Sequence, residues 1–310
     1  MRSDTIKMLA AFLWGIGAVL AFCLLAVAAR ELNRVIPVQE IVMFRALIGL
    51  LISCAIICVI RQYGLLKTKR LPMQLLRHGS HFFAQCGWLF GIGYLTLADV
   101  FALEFTVPVW VALIAAFALR EKLTGKRISA IGLGLLGVVV ILNPTKGVIN
   151  PVALVVLMSA IFYAIAHTAN KSLSATETAL GIVFYMSLIQ LPMGVVLSLP
   201  VWVTPDGWQW AWLIMIGSCA LTGHFCMTRS MQLADVSFVM TVDFLRLPLI
   251  AVIGVLLYLE PLKVSLLIGA AIIMLGNVIN VQDQLTRYGQ KAESWASRSR
   301  SKLRENSVES

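Results

Sequence analysis

The chain has 310 residues, of which 59% are hydrophobic and only 13% charged, with a mean hydropathy of +0.88. Soluble domains carry about 45–50% apolar and about 25% charged residues, so a water-soluble fold would leave large apolar patches bare and is excluded. The formal net charge of +10 suggests a nucleic-acid partner, but the placement of the basic residues argues against one.

Apolar runs of bilayer-crossing length predict ten helices, and lipid offers no water to satisfy a strand's backbone. The first run, 8–29, follows Arg2 and Lys7 and ends near Ala26-Val27-Ala28, like a cleaved leader. At about 22 residues it exceeds the roughly 7–15 of a leader's apolar core and reads as helix one. The second, 38–60, carries Arg45, and the third, 78–97, carries His81, Gln85 and Trp88 on one stripe. The fourth, 99–119, holds Glu104 and Trp110; the fifth to seventh are 128–142, 151–168 and 179–200. The eighth, 210–228, holds His224, the ninth, 236–259, holds Asp243 and Arg246, and the tenth is 263–281. Pro108, Pro192 and Pro248 lie inside spans, which a helix bundle tolerates. Gly87 and Gly91 form a GxxxG pair, Gly132, Gly134 and Gly137 mark the fifth span and Gly269 and Gly276 the tenth; these read as packing sites.

With the N-terminus inside, 19 of the 25 Lys and Arg residues fall in inner segments and 4 in outer ones. Arg45 and Arg246 lie within spans. This bias orients a membrane protein with both termini cytoplasmic. The charge then serves orientation and lipid contact, and no nucleic-acid partner is expected.

Leu97-Ala98-Asp99-Val100 recurs as Leu233-Ala234-Asp235-Val236, and each copy opens a span that closes on a Glu, Glu121 or Glu260. The chain therefore reads as two five-helix repeats, 1–143 and 144–281, followed by a polar basic tail, 282–310. Five is odd, so the second repeat enters the bilayer inverted, and Asp99 and Asp235 face opposite sides. Inverted repeats of this kind build secondary transporters.

Four ionisable residues lie well inside spans: Arg45, Glu104, Asp243 and Arg246. Charges at that depth need partners or a water-filled cavity, and they mark a candidate substrate site. Depth matches Arg45 with Glu104, and Asp243 and Arg246 share a helix face. Arg246 suits a carboxylate, and Glu104 or Asp243 is a candidate for proton coupling. His81 and His224 add polar groups near the inner ends of their spans; Gln85, Trp88 and Trp110 add an amphipathic wall. Trp202, Trp208, Trp210 and Trp212 read as an interfacial anchor. The six Cys read as buried free thiols, and Asn170-Lys171-Ser172 as a sequon on the wrong side of the membrane. No nucleotide-binding loop, HExxH, paired CxxC or GxSxG occurs, so neither enzyme activity nor a cofactor is expected.

Leu97-Ala98-Asp99-Val100-Phe101-Ala102-Leu103, Thr106-Val107-Pro108 and Leu119-Arg120-Glu121-Lys122 resemble the EamA-type branch of the drug/metabolite transporter superfamily. Phe244-Leu245-Arg246-Leu247-Pro248 and Tyr258-Leu259-Glu260-Pro261 are similar to its second-half pattern, in the variant of S-adenosylmethionine and riboflavin carriers. The resemblance implies an all-α membrane protein of ten transmembrane helices in the bacterial inner membrane. Helices one to four and six to nine would ring a cavity, and helices five and ten would support it or pair two subunits. Glu104 departs from the family, where many relatives have a small or hydroxyl residue. The expected function is secondary transport, by alternating access, of a small polar or zwitterionic metabolite. An amino-acid derivative, an S-adenosylmethionine-like compound or riboflavin would fit. A channel-like facilitator, and a membrane enzyme or non-transporting membrane protein, are the alternatives.

Overall fold

The computed structural model describes residues 2–33, 35–118, 125–142, 150–234, 239, 242–279 and 282, with side chains 2–5, 115–118 and 127 left aside. Arg120, Glu121, Lys122, Asp235 and the tail beyond Gln282 lie outside the described residues. The α-helices are α1 (Arg2–Leu32), α2 (Val38–Ile60), α3 (Leu71–Tyr94), α4 (Leu97–Glu104), α5 (Val107–Ala118) and α6 (Gly125–Leu142). They continue as α7 (Pro151–Ser174), α8 (Ala179–Ser198), α9 (Gln209–Leu233), α10 (Arg246–Tyr258) and α11 (Val264–Ile279). No strand forms among the described residues.

Among the described residues six segments are long and apolar enough to cross a membrane: Ile6–Leu32, Val38–Ile60, Leu97–Ile114, Pro151–Ser174, Ala179–Val201 and Gln209–Leu233. Shorter apolar helices add Ile128–Leu142, Arg246–Tyr258 and Val264–Ile279. Exposed Leu51, Val59, Val196 and Leu256 leave the outside of the bundle apolar, as lipid requires. Trp202, Trp208 and Trp210 are exposed beside the α8–α9 connection. The six cysteines are free, with Cys23 and Cys226 buried and Cys58 exposed.

Local sequence explains several helix starts. Thr96 Oγ1 accepts from Asp99 N at 3.1 Å to cap α4, and Thr178 Oγ1 accepts from Gly181 N at 3.1 Å to cap α8. Asn150 Oδ1 accepts from Val152 N at 2.9 Å, and Pro151 starts α7 where a missing N–H costs nothing. Pro72 does the same in α3, which begins at Leu71, so Gln74, Arg77 and His78 are buried helix residues. The expected start near residue 78 is thereby corrected.

Two expected single spans are broken at matching places. In the first half, α4 ends at Glu104, Phe105 and Thr106 turn, and α5 starts at Val107. In the second, helix ends at Asp243, Phe244 and Leu245 turn, and α10 starts at Arg246. Pro108 and Pro248 follow the turns. Each lacks an N–H, and its ring clashes with the carbonyl four residues back. Within the first turn the carbonyl of Phe105 accepts from Asn277 Nδ2 at 2.9 Å, from α11. Pro192 stays within α8.

The principal pairings cross between halves: α1 lies along α9, α3 along α7 and α2 along α8. The first helix of each half thus packs on the third of the other. Gly87 and Gly91 of α3 admit Val155, Val156 and Ser159 of α7, as expected of a GxxxG surface. At the α6–α11 crossing, a Cβ on Gly137 would lie 2.7 Å from the Gly269 carbonyl oxygen, and one on Gly269 would lie 2.7 Å from that of Gly137. Gly137 also meets Ile273, and Gly269 meets Ile141. Contacts that advance on one helix as they retreat on the other make α6 and α11 antiparallel.

Candidate functional site

The two breaks bring their flanking charges together. Arg246 Nη2 donates to Glu104 Oε1 and to Asp243 Oδ2, each at 2.9 Å. Glu104 and Asp243 are 139 residues apart, the spacing of Glu121 and Glu260, and each is the last helical residue before its break. They occupy equivalent positions in the two halves, whereas Arg246 corresponds to the apolar Val107. Trp88 Nε1 donates to Glu104 Oε2 at 2.8 Å. The rings of Phe22, Phe101 and Phe105 surround the guanidinium, with centroids 5.2, 5.1 and 5.4 Å away. Aromatic faces attract a cation and keep water off it. With both acids ionised the cluster carries one net negative charge. Arg246 Nε is buried without a partner, so the guanidinium keeps an unused donor.

This cluster walls a cavity of about 500 Å³, its open mouth included, lined by Phe22, Leu25, His81, Gln85, Trp88, Glu104, Tyr163, His167, His224, Met227 and Arg246. His81 and His224 meet edge to face at 4.7 Å, and His81 meets Tyr163 at 5.4 Å. Among the described residues no group of three or more His, Cys, Asp or Glu side chains is placed to hold a metal ion.

Six of the expected site residues, His81, Gln85, Trp88, Glu104, His224 and Arg246, line this cavity. Asp243 stands behind Arg246. Arg45 does not pair with Glu104 as its depth suggested: it donates to Gln190 Oε1 of α8, while Glu104 takes Arg246. Trp110 is also off the cavity, its Nε1 donating to Thr106 Oγ1 at 3.0 Å within the break. Sequence reasoning missed Phe22, Tyr163 and Gln190 and undervalued His167. The spacing of Tyr163 and His167, one helical turn apart, was the available signal.

A second ionic network ties the end of the bundle where α1 stops and α4 starts. Arg30 Nη2 donates to Glu260 Oε1 and, at 2.6 Å, to the Leu95 carbonyl. Glu260 Oε2 accepts from Leu97 N at 2.8 Å. Lys263 Nζ reaches Asp99 Oδ2 at 3.0 Å, and the Tyr258 hydroxyl donates to Glu31 Oε1 at 2.9 Å. Leu259, in the left-handed region at φ 52°, ends α10 and turns Glu260 back toward it. A Cβ on Gly254 would lie 2.6 Å from Glu260 Oε2, so the glycine makes room for the carboxylate.

Comparison with known proteins agrees with this architecture. The model of the EamA-like transporter family matches residues 9–143 and 150–282. The chain is 24% identical over 229 residues to an S-adenosylmethionine uptake transporter of Rickettsia prowazekii, covering 74% of this chain and 78% of that protein. It is 28% identical over 271 residues to a riboflavin transporter of Vibrio cholerae, covering 85% and 90%. It is 29% identical over 212 residues to the pseudopaline exporter CntI of Pseudomonas aeruginosa, covering 67% and 74%. A solved crystal structure shares the fold with a TM-score of 0.64 at 19% identity, over 87% of this chain and 95% of its own. Two matched segments that cover most of the chain place it among multi-pass membrane proteins, and the chain belongs to the EamA-like transporter family.

Proposed function

We propose that the protein is a secondary carrier that moves a small polar or zwitterionic metabolite across the bacterial inner membrane by alternating access. The observation that carries this reading is the sharing of Arg246 by Glu104 and Asp243, one acid from each half, at matching helix breaks beside a cavity. Broken helices at mid-membrane, with free backbone groups and charges, are where carriers bind their cargo. The reading takes ten helices in two inverted repeats, 1–143 and 144–281, with the tail 282–310 and both termini in the cytoplasm. The antiparallel α6–α11 crossing and the reciprocal packing of α1 on α9 and α3 on α7 support the inversion. In this orientation the Arg30–Glu260 network closes the outer side.

The relatives are named for S-adenosylmethionine, riboflavin and pseudopaline. A substrate with a cationic centre suits the net negative charge of the acid pair, and aromatic Trp88 and Tyr163 suit a ring or an apolar stem. A proton on Glu104 or Asp243 would balance the same charge when the substrate leaves, which couples transport to protons. The test is uptake into proteoliposomes of S-adenosylmethionine, riboflavin and amino acids, with thermal unfolding of wild type and Arg246→Ala against the same compounds. Saturable uptake with counterflow, and a melting shift lost in Arg246→Ala, are the expected results. Conductance without saturation would reject the carrier in favour of a channel.

A further inference from the structure

Two more guanidinium groups are buried in the bundle, away from the acids. Arg45 of α2 is 2% exposed and Arg77 of α3 is 3% exposed. Among the described residues neither has a carboxylate within ion-pair distance, and their polar partners are uncharged groups. Arg45 Nη2 donates to Gln190 Oε1. Gln190 Nε2 donates to the His78 carbonyl at 2.9 Å and faces His81 Nδ1 at 3.1 Å. Arg77 Nη1 donates to His78 Nδ1 at 2.7 Å, which leaves the His78 proton on Nε2, donating to Gln74 Oε1 at 2.8 Å. Every acceptor in this chain of bonds is neutral.

The donors outnumber those acceptors. Arg45 Nε, Arg77 Nε and Gln74 Nε2 are all buried without a partner. Two cations within electrostatic reach of each other and three idle N–H groups call for an anion with several oxygens. The cavity is close by. Arg45 is within electrostatic reach of Tyr163, and His224 is within reach of both arginines. Gln190 links Arg45 to His81 of the cavity wall, and Arg77 joins the same chain of bonds through His78, on the α2–α3–α8 side. The acid pair stands on the α4–α10 side.

We propose that Arg45 and Arg77 form an oxyanion subsite, taking a carboxylate or phosphate of the substrate while its cationic group sits at Glu104 and Asp243. The proposal rests on the carrier reading and narrows the cargo to molecules that bear an oxyanion apart from their cationic centre. The subsite opens as His81 and His224 part during the transport cycle.

Three probes test it on the purified full-length protein in detergent at constant ionic strength: sodium succinate, inorganic phosphate and sodium chloride. Melting temperature and phenylglyoxal labelling of arginines, mapped by mass spectrometry, are the readouts. Succinate or phosphate, but not chloride, should raise the melting temperature. At twice its dissociation constant the anion leaves about a third of sites free, so labelling of Arg45 and Arg77 should slow about threefold. Exposed Arg61 should be unaffected. The response should vanish in Arg45→Gln and Arg77→Gln; if those variants do not fold, labelling of the wild type decides. Succinate acting alone makes the group a carboxylate, and phosphate acting alone makes it a phosphate. Equal effects of the three salts, a response that survives both substitutions, or no labelling at either arginine would each overturn the subsite. Uptake without an anion response sinks the subsite and leaves the carrier; an anion response without uptake of any compound does the reverse.

Discussion

Neutralising the two acids one at a time and then together tests the charge-sharing arrangement. In Glu104→Gln, Arg246 keeps Asp243 at 2.9 Å; in Asp243→Asn it keeps Glu104 at 2.9 Å. Each single change takes the cluster from one net negative charge to neutrality, and an amide oxygen can still accept from the guanidinium. The loss should stay near 1 kcal/mol, the net value of an ordinary hydrogen bond. The double variant is different in kind. It leaves a guanidinium only 8% exposed, ringed by three phenyl groups, with no counter-charge. Removing the partner of a buried ion costs about 3–5 kcal/mol. The double variant should therefore lose at least about 1 kcal/mol more than the two singles combined, as expected for residues in one network. At roughly 2–4 °C per kcal/mol, it should melt about 6–20 °C below wild type. The assay is thermal unfolding of the purified proteins, followed by tryptophan fluorescence and backbone circular dichroism. A double variant that loses no more than the sum of the singles would show that the acids do not share Arg246, and the reasoning would fall.

Asn277→Leu should cost about 1–3 kcal/mol in the same assay, because it strands the Phe105 carbonyl at a buried break. Gly137→Val should cost about 1–3 kcal/mol by overpacking, since a Cβ there would meet the Gly269 carbonyl at 2.7 Å; stability matching wild type would contradict that close crossing. Glu260→Gln should loosen the proposed outer closure. In a variant whose single cysteine is Cys23, near the acid pair, maleimide labelling should speed up about tenfold, because about 1.5 kcal/mol of charge-assisted bonding is lost. The pH dependence of uptake should change in Glu104→Gln or Asp243→Asn; an unaltered profile in both removes the acids from proton coupling.

Pairing within one helix was readable from the chain, but the face that each helix turns to its neighbours was not. Counting along the predicted spans puts Asp243 and Arg246 near the middle of the ninth and Glu104 nearer the start of the fourth. The same arithmetic put Arg45 level with Glu104, yet Gln190 holds it elsewhere. Asp243 and Arg246 did pair, because three residues apart on one helix fixes azimuth as well as height. The breaks escaped notice because proline alone is ambiguous: Pro192 stays within α8, while Pro108 and Pro248 follow turns. Arg77 reads as loop and His78 as the polar start of the third span, because both precede the apolar run. Their mutual hydrogen bond and the one to Gln74 let α3 bury them. Cross-half contacts such as Asn277 with Phe105 depend on the assembled fold and leave no trace in local pattern.

The crossing of α6 and α11 has a mechanical consequence. At the 139-residue spacing that relates the halves, Gly137 corresponds to Gly276 and Gly269 to Ala130, and a Cβ on Gly276 would lie 2.9 Å from the Ala130 carbonyl oxygen, so in the proposed inverted repeat the pseudo-two-fold axis passes between the Gly137–Gly269 and Ala130–Gly276 contacts. A point on such an axis maps onto itself when the halves trade conformations. Displacement there is smallest and grows with distance toward the ends of the bundle. The crossing between these two glycine contacts therefore serves as the fulcrum of the proposed carrier, and Arg30 and Glu260 lie at the end of a lever arm.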